Sequence, residues 1–331
     1  MNSELDQKIR NLWLSGIARA LPTRVQKAIH HYLTNINFLE IPFILMRYTL
    51  APFFIREIIQ RRKVTIILYH NHDPLVADIH FTLLRRKYNI ISLKDFINVK
   101  KSGGTKKLPP KSLIITFDDG RKTDYKLLPV FKKHGITPTI FLCSGIVGTN
   151  RHFWFIDSHG RLDNGHLKTL PDTERLRVLK EIGFQEEKEF DVRQALSMDE
   201  IDEMKESVDF QSHTMFHPCL PRCTMERARH EIRDSRQEIM EKYGINVFAL
   251  SYPNGDYSSN VIRVAKQTGY ECGITVDLGF NDQSTDLFRL KRICLRGNEG
   301  TSELLVRVTG LWDRLKRIID PQSYGYVSDK E

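Results

Sequence analysis

SLIITFDDG, residues 112–120, joins a continuous apolar run to two carboxylates and a glycine. A run made mostly of apolar and β-branched residues, without strict alternation, is typical of a strand that is buried on both faces of a parallel sheet. The Asp-Asp-Gly predicts a turn at the carboxyl end of that strand, where Asp118 and Asp119 can both reach the mouth of a site. An isolated turn of this kind is more commonly a pair of solvated acids, so its meaning depends on the rest of the chain.

Strand and helix patterns alternate from residue 64 onward. Six further β-rich runs are VTIILYH (64–70), TPTIFLC (137–143), VDFQSHT (208–214), VFALSYP (247–253), CGITVD (272–277) and RICL (292–295). Helical patterns with start or stop signals lie between them, at residues 121–135, 198–207 (with Ser197 as N-cap), 224–244 and 258–270. This alternation predicts an α/β fold with a parallel sheet, and the apolar strands favour a sheet buried on both faces, as in a barrel.

Ionisable or turn-forming residues follow four of these runs at the carboxyl end. They are His70, the pair Asp118 and Asp119, His213, and the stretch from Tyr252 to Asn254. In α/β barrels the loops at this end of the strands converge on one mouth. We therefore expect these side chains to form a single site.

SHTMFH, residues 212–217, supplies two histidines at positions i and i+4. Two neutral imidazoles with this spacing can bind a first-row metal, and a carboxylate from another strand would complete a three-ligand site that is open to water. A second arrangement is open at this stage, in which His213 and His217 join Cys219 and Cys223 in a closed structural zinc site. Pro218 and Pro221 stiffen that stretch, and no partner Cys-x-x-Cys is present.

The net charge of +9 is unevenly distributed, because residues 1–63 contain ten Lys or Arg against four Asp or Glu. The same part of the chain holds the apolar stretch 33–55, which is interrupted by charges and prolines. It predicts helices that pack on the main domain or lie on a membrane surface, and a membrane span fits less well. Nothing resembles a nucleic-acid recognition helix, so we expect no nucleic-acid partner.

The cysteine count and the start of the chain indicate the compartment. Five cysteines at uneven spacing suggest no disulfide framework. The opening MNSELDQKIRNLW carries acids early and lacks the pattern of a signal peptide. A cytoplasmic protein, peripheral to the inner face of a membrane, is the resulting expectation.

TFDDG followed by SHTMFH and a short proline-containing strand end resembles the NodB-homology polysaccharide deacetylases of carbohydrate esterase family 4. The resemblance covers roughly residues 64–300. It implies a distorted (β/α) barrel, TIM-like, that removes N- or O-acetyl groups from glycans with one divalent metal, usually Zn²⁺. It also implies that Asp118 is the general base and that the metal ligands are Asp119, His213 and His217.

The same resemblance implies a reaction. The metal would polarise the amide carbonyl and acidify a bound water, and Asp118 would accept the proton of that water. A backbone N–H near the Pro253–Asn254 turn would donate to the oxyanion of the tetrahedral intermediate. Asn254 and Tyr252 are accordingly the residues expected on the oxyanion and substrate side.

The sequence departs from the family pattern near the base. The family's Arg-x-Pro-Tyr motif, whose arginine steadies the catalytic aspartate, is replaced by Ser251–Tyr252–Pro253–Asn254. Arg292 or Arg296, from the late strand, are the candidates to substitute for that arginine. Asp277 lies where the family carries an aspartate in its fourth motif, but the neighbouring tryptophan is missing.

A second departure concerns the general acid. The family usually ends with a Leu-x-His whose imidazole protonates the departing amine, and this chain has no histidine after His230. Some exopolysaccharide de-N-acetylases of the family are similar to a circular permutation, with that strand at the front in a Tyr-His context. ILYH, residues 67–70, has this form, so we expect His70 to be the general acid, with His72 as a neighbour.

The charge distribution, the strand–helix alternation and the resemblance together predict three regions. They are an N-terminal helical, basic and apolar segment at 1–62, a deacetylase barrel at 63–310 with an insertion at 145–197, and a C-terminal tail at 311–331. We expect a metal-dependent de-N-acetylase acting on an amino-sugar glycan or a lipid-linked saccharide precursor, with peripheral membrane contact through residues 1–60. The alternatives are a deformylase or deacetylase of a small or non-glycan amide, and an inactive barrel that binds carbohydrate.

Overall fold

The computed structural model of the protein describes residues 40–69, 73–103 and 107–319. Their eight strands pair in parallel throughout. The strands are β1 (Val64–Tyr69), β2 (Asn89–Ile90), β3 (Ser112–Phe117), β4 (Thr139–Leu142), β5 (Asp209–Ser212), β6 (Ala249–Ser251), β7 (Cys272–Ile274) and β8 (Ile293–Leu295). The seven strands expected from the sequence are confirmed, and β2 is additional.

Helices connect and cover these strands. They are α1 (Ile41–Tyr48), α2 (Leu50–Phe54), α3 (Pro74–Arg85), α4 (Leu93–Lys101), α5 (Leu128–His134), α6 (Trp154–Asp157), α7 (Asn164–Thr169), α8 (Asp172–Glu181), α9 (Met198–Met204), α10 (Met225–Tyr243), α11 (Ser259–Thr268), α12 (Thr301–Arg307) and α13 (Leu311–Ile319). A π-helical turn (Ile55–Ile59) follows α2, and short 3₁₀ turns cover Gln60–Arg62, Lys122–Leu127, Leu220–Arg222 and Pro253–Gly255.

The strands curl into a distorted barrel. Their order is β7-β6-β5-β4-β3-β1-β8, with β2 pairing with β3 off this path. The two ends of this order meet near Leu290, whose carbonyl accepts from Thr275 N at 2.8 Å and whose N–H donates to Gly273 O at 3.0 Å. Because the chain continues from Leu290 into β8, these hydrogen bonds connect β7 to the strand that pairs with β1. The expected α/β fold with a distorted (β/α) barrel is confirmed.

Alternate residues of the central strands face two different apolar clusters. Ile66 and Ile114 pair in register and pack in the smaller cluster, whereas Ile67 and Ile115 pack in the larger one together with the helices. This follows from the two-residue period of a strand. All six residues of both β1 and β3 are buried, which explains why neither sequence has the apolar–polar alternation of a half-exposed strand. Each fully buried isoleucine contributes about 1.5–3 kcal/mol relative to exposure.

The helix N-caps and C-terminal glycine expected from the sequence are present at the ends of α9 and α10. Ser197 caps α9 by accepting from Glu200 N, and the Glu200 carboxylate accepts from Ser197 N in return. Thr224 caps α10 in a similar way, and that helix ends at Gly244 in a left-handed conformation (φ 67°). The long α10 is thereby held across the carboxyl end of β5, where it contacts the loop that carries His213 and His217.

Both predicted end segments lie partly outside the described residues. Residues 40–62 are helical, and α1 packs against the end of the barrel through a ring contact of 4.7 Å between Phe43 and Trp312. Residues 311–319 of the expected tail form helix α13. The stretch 145–197, expected to be an insertion, holds α6, α7 and α8 between β4 and β5. No helix in the described ranges is both long enough and apolar enough to cross a membrane.

Candidate active site

The turn after β3 brings two neighbouring carboxylates to one cavity. Asp119 adopts a left-handed conformation (φ 79°), as does Gly120 (φ 71°), and this reverses the chain so that Asp118 and Asp119 both line the cavity. A Cβ on Gly120 would lie 2.6 Å from Leu142 Cδ2, so the position requires glycine for space as well as for backbone conformation. The Asp-Asp-Gly is therefore not a solvated surface turn.

Asp119, His213 and His217 converge at this mouth. Nε2 of each imidazole lies 3.6 Å from Asp119 Oδ1, and one ligand atom from each residue lies within 4.8 Å of the other two. Ligands held about 2.1 Å from a tetrahedral zinc ion stand about 3.4 Å apart. The spacing and the set of two nitrogens and one oxygen therefore fit a first-row divalent ion.

The hydrogen bonds around this group orient its side chains so that the potential metal-ligand atoms face one another. His213 Nδ1 lies 2.8 Å from Ser251 O, and because a carbonyl can only accept, Nδ1 carries the proton and Nε2 keeps its lone pair. Arg121 Nε donates to Asp119 Oδ2 at 2.9 Å, which leaves Oδ1 facing the imidazoles. Burial alone would raise the pKa of Asp119, but the neighbouring Arg121 guanidinium opposes burial, and the pKa is lowered overall.

His217 is held neutral. Burial, followed by the neighbouring His213, lowers the pKa of His217 to about 3. Its Nδ1 is buried and has no hydrogen-bond partner among the described residues. A neutral imidazole is the form that binds metal ions, so the protein keeps this side chain ready as a ligand.

The SHTMFH turn is strained and is clamped by α10. Thr214 (φ 68°) and His217 (φ 58°) both adopt the left-handed conformation, which costs a non-glycine residue about 1–3 kcal/mol. The buried Glu231 carboxylate accepts from Met215 N at 2.8 Å and from Phe216 N at 3.0 Å through the same oxygen, Oε2. These two hydrogen bonds hold the middle of the turn. The sequence of the motif does not indicate that Glu231 accepts them.

Other side chains complete the hydrogen bonding of the same turn. Trp154 Nε1 donates to His217 O at 2.8 Å, and Ser235 Oγ donates to Thr214 O at 3.0 Å. Gly145 N donates to Met215 O at 3.1 Å. The positions of the two histidines therefore depend on three separate parts of the chain, and none of these partners is visible in the spacing of the motif.

Asp118 is gripped by Arg292. The two terminal nitrogens of Arg292 donate to the two carboxylate oxygens of Asp118, each at 2.8 Å, and Ser251 Oγ donates to Asp118 Oδ2 at 3.3 Å. Arg292 is fully buried and its Nε donates to Thr275 O at 2.8 Å. Of the two arginines considered from the sequence, Arg292 is the one that reaches Asp118, whereas Arg296 pairs with Glu303.

The remaining predicted site residues are placed differently from one another. Asn254 lines the cavity in a left-handed conformation (φ 58°), and its Nδ2 donates to Cys219 Sγ at 3.4 Å. The Tyr252 side chain turns away from the cavity, because it is fully buried and its hydroxyl donates to Phe288 O at 3.1 Å. Asp277 accepts from Tyr257 at 2.8 Å. His70 and His72 lie outside the described residues.

The alternative zinc site with two cysteines is not formed by the described residues. The one group of three or more candidate ligands found within them is Asp119, His213 and His217. Cys219 accepts from Asn254, and Cys223 Sγ donates to Cys219 O at 3.6 Å. Burial raises the pKa of both thiols, which disfavours the thiolate that zinc requires.

The cavity above these groups has a volume of about 380 Å³. One wall comes from the region after β4, which contributes Phe155, Asn164 and Lys168. Asn164 is fixed by its own bonds, since its Nδ2 donates to Phe155 O at 2.9 Å. Sequence reasoning did not assign these residues to the site, because the stretch 145–197 has no clear strand or helix period.

A family model described as polysaccharide deacetylase matches residues 105–273, just over half of the chain. The chain belongs to the polysaccharide deacetylase family. The match spans β3 with its two aspartates, the SHTMFH turn and the strands up to β7. Membership in this family agrees with the expected enzyme class, a hydrolase acting on carbon–nitrogen bonds other than peptide bonds.

Individual relatives of this polysaccharide deacetylase are distant. YxkH of Bacillus subtilis (strain 168), which carries the same family name, is 24% identical over 189 residues, covering 57% of this chain and 53% of its own length. The chain thus spans about half the length of that curated relative. Deacetylase PplD of Streptococcus pyogenes in complex with acetate has a TM-score of 0.55 at 19% identity, covering 75% and 98% of the two chains. A de-N-acetylase from Aggregatibacter actinomycetemcomitans has a TM-score of 0.52 at 16% identity, covering 74% and 99%. These structural likenesses show the shared fold.

Proposed function

We propose that this polysaccharide deacetylase is a metal-dependent de-N-acetylase, which hydrolyses the acetamido group of an amino-sugar glycan or of a lipid-linked saccharide precursor. The observation that carries the proposal is the Asp119, His213 and His217 group beside the paired Asp118 and Arg292 in one cavity. Two of the similar structures, a deacetylase bound to acetate and a de-N-acetylase, support the acetamido group as the target.

Asp119, His213 and His217 would hold one divalent ion, and Zn²⁺ suits two imidazoles and a carboxylate best. When bound, such an ion supplies Lewis-acid polarisation of an acyl carbonyl and lowers the pKa of water. The chain contributes the geometry in advance, since His213 is fixed by the Ser251 carbonyl and Asp119 by Arg121. Ligands held in place in this way lose little freedom on binding.

Asp118 acts as the general base in this proposal. Its Oδ2 lies 3.9 Å from His213 Nε2, next to the ligand atoms, so it can accept the proton of a water that attacks the acyl carbon. Arg292 fixes the plane of the Asp118 carboxylate through two parallel hydrogen bonds. A carboxylate that cannot rotate away keeps its lone pair directed into the cavity.

Two further roles are proposed for residues near the leaving group. We assign the general acid to His70, which follows β1 in the sequence, and β1 pairs with β3 and β8 on either side. We assign the oxyanion donor to a backbone N–H at the Pro253–Asn254 turn, which is supported by the position of Asn254 in the cavity wall. Tyr252 remains in this scheme only as the residue before that turn.

The proposal is tested by metal content and by acetate release from a water-soluble acetamido-sugar oligomer. Changing Asp119, His213 or His217 to alanine should abolish both, because two remaining ligands hold an ion poorly. His230→Ala, at an exposed histidine of α10, is the matched control and should leave both unchanged. Asp118→Asn should retain the metal and lose nearly all turnover. Metal loss in Asp118→Asn, or turnover without metal, would contradict the assignment.

The acid is tested by comparing two leaving groups. His70→Ala should retain the metal and lose on the order of 10²–10⁴-fold in amide hydrolysis, with a smaller loss for an activated aryl ester that departs without a proton. His72→Ala is the matched control and should affect both substrates less. Equal losses on the two substrates would show that His70 does not donate the proton.

The substrate and the compartment belong to the proposal as well. We propose peripheral membrane contact through residues 1–60, which suits a lipid-linked substrate, and a cytoplasmic location stays a prediction from the sequence. Release of formate in place of acetate, or preference for a small non-glycan amide, would favour the alternative activities considered from the sequence. An intact metal site without turnover of any amide would favour a carbohydrate-binding barrel.

A further inference from the structure

Exposed apolar side chains are concentrated at the two ends of the described part of the chain. Of fifteen large apolar residues that are exposed there, nine lie within residues 45–59 and 318–319. The most exposed of these, at 62–79%, are Leu45, Tyr48, Leu50, Ile58, Ile318 and Ile319. Soluble monomers rarely display contiguous apolar patches beyond a few hundred Å². The grouping of exposed apolar side chains in these two segments therefore indicates a surface that binds something.

The two ends lie side by side in the fold. Helix α1 packs on α12, where Arg47 Nη1 donates to Ser302 Oγ at 3.3 Å, and the Phe43 ring lies 4.7 Å from the ring of Trp312 at the start of α13. Helices α1 and α13 therefore lie side by side on the outside of the barrel, and residues 49–62 continue the chain from α1 to the start of β1. We call residues 41–62 together with α13 the apolar–basic face, because they combine exposed apolar side chains with positive charge.

The charges of this face are mostly cations. Residues 40–63 contain five Lys or Arg against two acids, and α13 contains three against one. Two of these three acids already have cationic neighbours, since Glu57 pairs with Lys111 at 2.9 Å and the buried Asp313 lies 3.7 Å from Arg307. Arg61 and Arg62 are exposed. Exposed apolar groups interleaved with arginine and lysine match the chemistry of an anionic lipid surface.

We propose that the apolar–basic face docks on an anionic bilayer, with its apolar side chains in the headgroup layer and its cations against lipid phosphates. The inference rests on the membrane contact proposed above and extends it to α13, at the opposite end of the sequence. A protein partner or a second copy of this chain would have to present a matching acidic and apolar surface.

Docking in this way would bring the cavity close to the lipid. Glu40, the N-cap residue of helix α1, lies against Gly300 in the loop that follows β8, and Cys294 of β8 lines the cavity. The mouth of the barrel and the upper edge of the face are therefore neighbours. A saccharide attached to a lipid could reach the catalytic groups without leaving the bilayer, which makes a lipid-linked substrate the favoured class.

The experiment uses the full chain and co-sedimentation with vesicles of phosphatidylcholine, with or without phosphatidylglycerol. Wild type should bind only the anionic vesicles. The pair Arg61→Ser and Arg62→Ser should weaken binding by on the order of tenfold, in a salt-dependent manner, because each cation near an anionic surface contributes several-fold. The pair Leu50→Ser and Ile58→Ser should weaken it similarly at all salt concentrations.

Matched controls lie on other parts of the surface. Val192→Ser removes an equally exposed apolar side chain, and Lys126→Ser with Lys180→Ser removes two exposed cations. These variants should bind vesicles as wild type does. All variants should release acetate from a water-soluble oligomer at the wild-type rate, so a failure of hydrolysis counts against the proposed function and not against the docking face.

Three results would overturn the inference. One is unchanged vesicle binding in both sets of face variants. Another is a wild-type dimer in analytical ultracentrifugation that Leu50→Ser and Ile58→Ser convert to monomers, which would assign the face to a second copy. The third is a loss of thermal stability in the same variants without any effect on vesicles, which would mean that the face is covered by residues 1–39 of the chain itself.

Discussion

Replacing Glu231 tests whether α10 prepares the metal site. Glu231 contacts neither the proposed ion nor the cavity, yet one of its oxygens accepts from two successive N–H groups in the turn between His213 and His217. Its other oxygen, Oε1, lies 2.8 Å from Arg227, which also pairs with Glu186. We therefore expect Glu231→Leu to leave the barrel folded and to weaken metal binding.

The size of the effect follows from the hydrogen bonds that are lost. Two buried backbone donors left without an acceptor cost about 1–3 kcal/mol each, or roughly 2–6 kcal/mol together. The turn also holds two left-handed residues, Thr214 and His217, and would relax once the clamp is gone. Metal binding must then restore the turn. Because each 1.4 kcal/mol is a factor of ten and relaxation recovers part of the cost, we expect binding to weaken about 10–100-fold.

The assay is competition for metal against a chromophoric chelator, followed by the absorption spectrum of the Co²⁺-substituted protein. Glu231→Leu should raise the dissociation constant and alter the Co²⁺ spectrum, because the two imidazoles are no longer held in one arrangement. Glu231→Gln retains an acceptor oxygen and should recover part of the affinity. Glu241→Leu, at an exposed glutamate of the same helix that pairs with Gln237, is the matched control and should behave as wild type. An unchanged dissociation constant in a folded Glu231→Leu protein would refute the clamp.

Three other expectations concern single side chains. Arg292→Lys should retain the metal and lower kcat at least tenfold in a steady-state acetate assay, because lysine cannot make two parallel hydrogen bonds to Asp118. An unchanged kcat would show that these two hydrogen bonds are not needed for turnover. Burial raises the pKa of Asp209 to about 6, above the value of about 3.9 in an unfolded chain. The contribution of Asp209 to the free energy of unfolding is therefore largest at low pH, where the carboxyl group is protonated in both states, and it is lost as the pH rises through 6. The stability of Asp209→Asn relative to wild type should therefore improve by roughly 3 kcal/mol between about pH 4 and pH 8 in urea unfolding, and a flat difference would contradict that pKa. Cys223→Ser should leave zinc content unchanged by elemental analysis, whereas loss of zinc would restore the closed cysteine site.

The parts of the fold that the sequence predicted are those in which local pattern and tertiary environment agree. β1 and β3 lack an apolar–polar alternation because both of their faces are buried, and α10 has a capping threonine and a terminal glycine. Asp118, Asp119, His213 and Asn254 line one cavity, as expected from the general rule that parallel strands in a barrel end at the same mouth. β2 was missed because two paired residues give no period to detect.

The parts of the site that the sequence did not predict depend on contacts between distant residues. Glu231 lies on a helix rich in charged residues, where one buried carboxylate has the same appearance as its solvated neighbours. Phe155 and Lys168 come from a stretch with little periodicity. In each case the role of the residue depends on how deeply its side chain is buried or on where the side chain points. Neither property can be read from the residue type alone.

The choice between Arg292 and Arg296 also depends on burial, which the sequence does not specify. Arg292, Cys294 and Arg296 alternate along the last strand, so the two-residue period places all three on one face and cannot choose between the arginines. The burial of the two side chains distinguishes them. Arg292 precedes β8 and is buried beside Thr116, whereas Arg296 follows the strand and its side chain is 61% exposed. A buried guanidinium requires a carboxylate, and the strand that contains Thr116 leads directly into Asp118. The long side chain of Arg292 therefore reaches Asp118 from the residue before β8, although the family's motif places its arginine after a different strand.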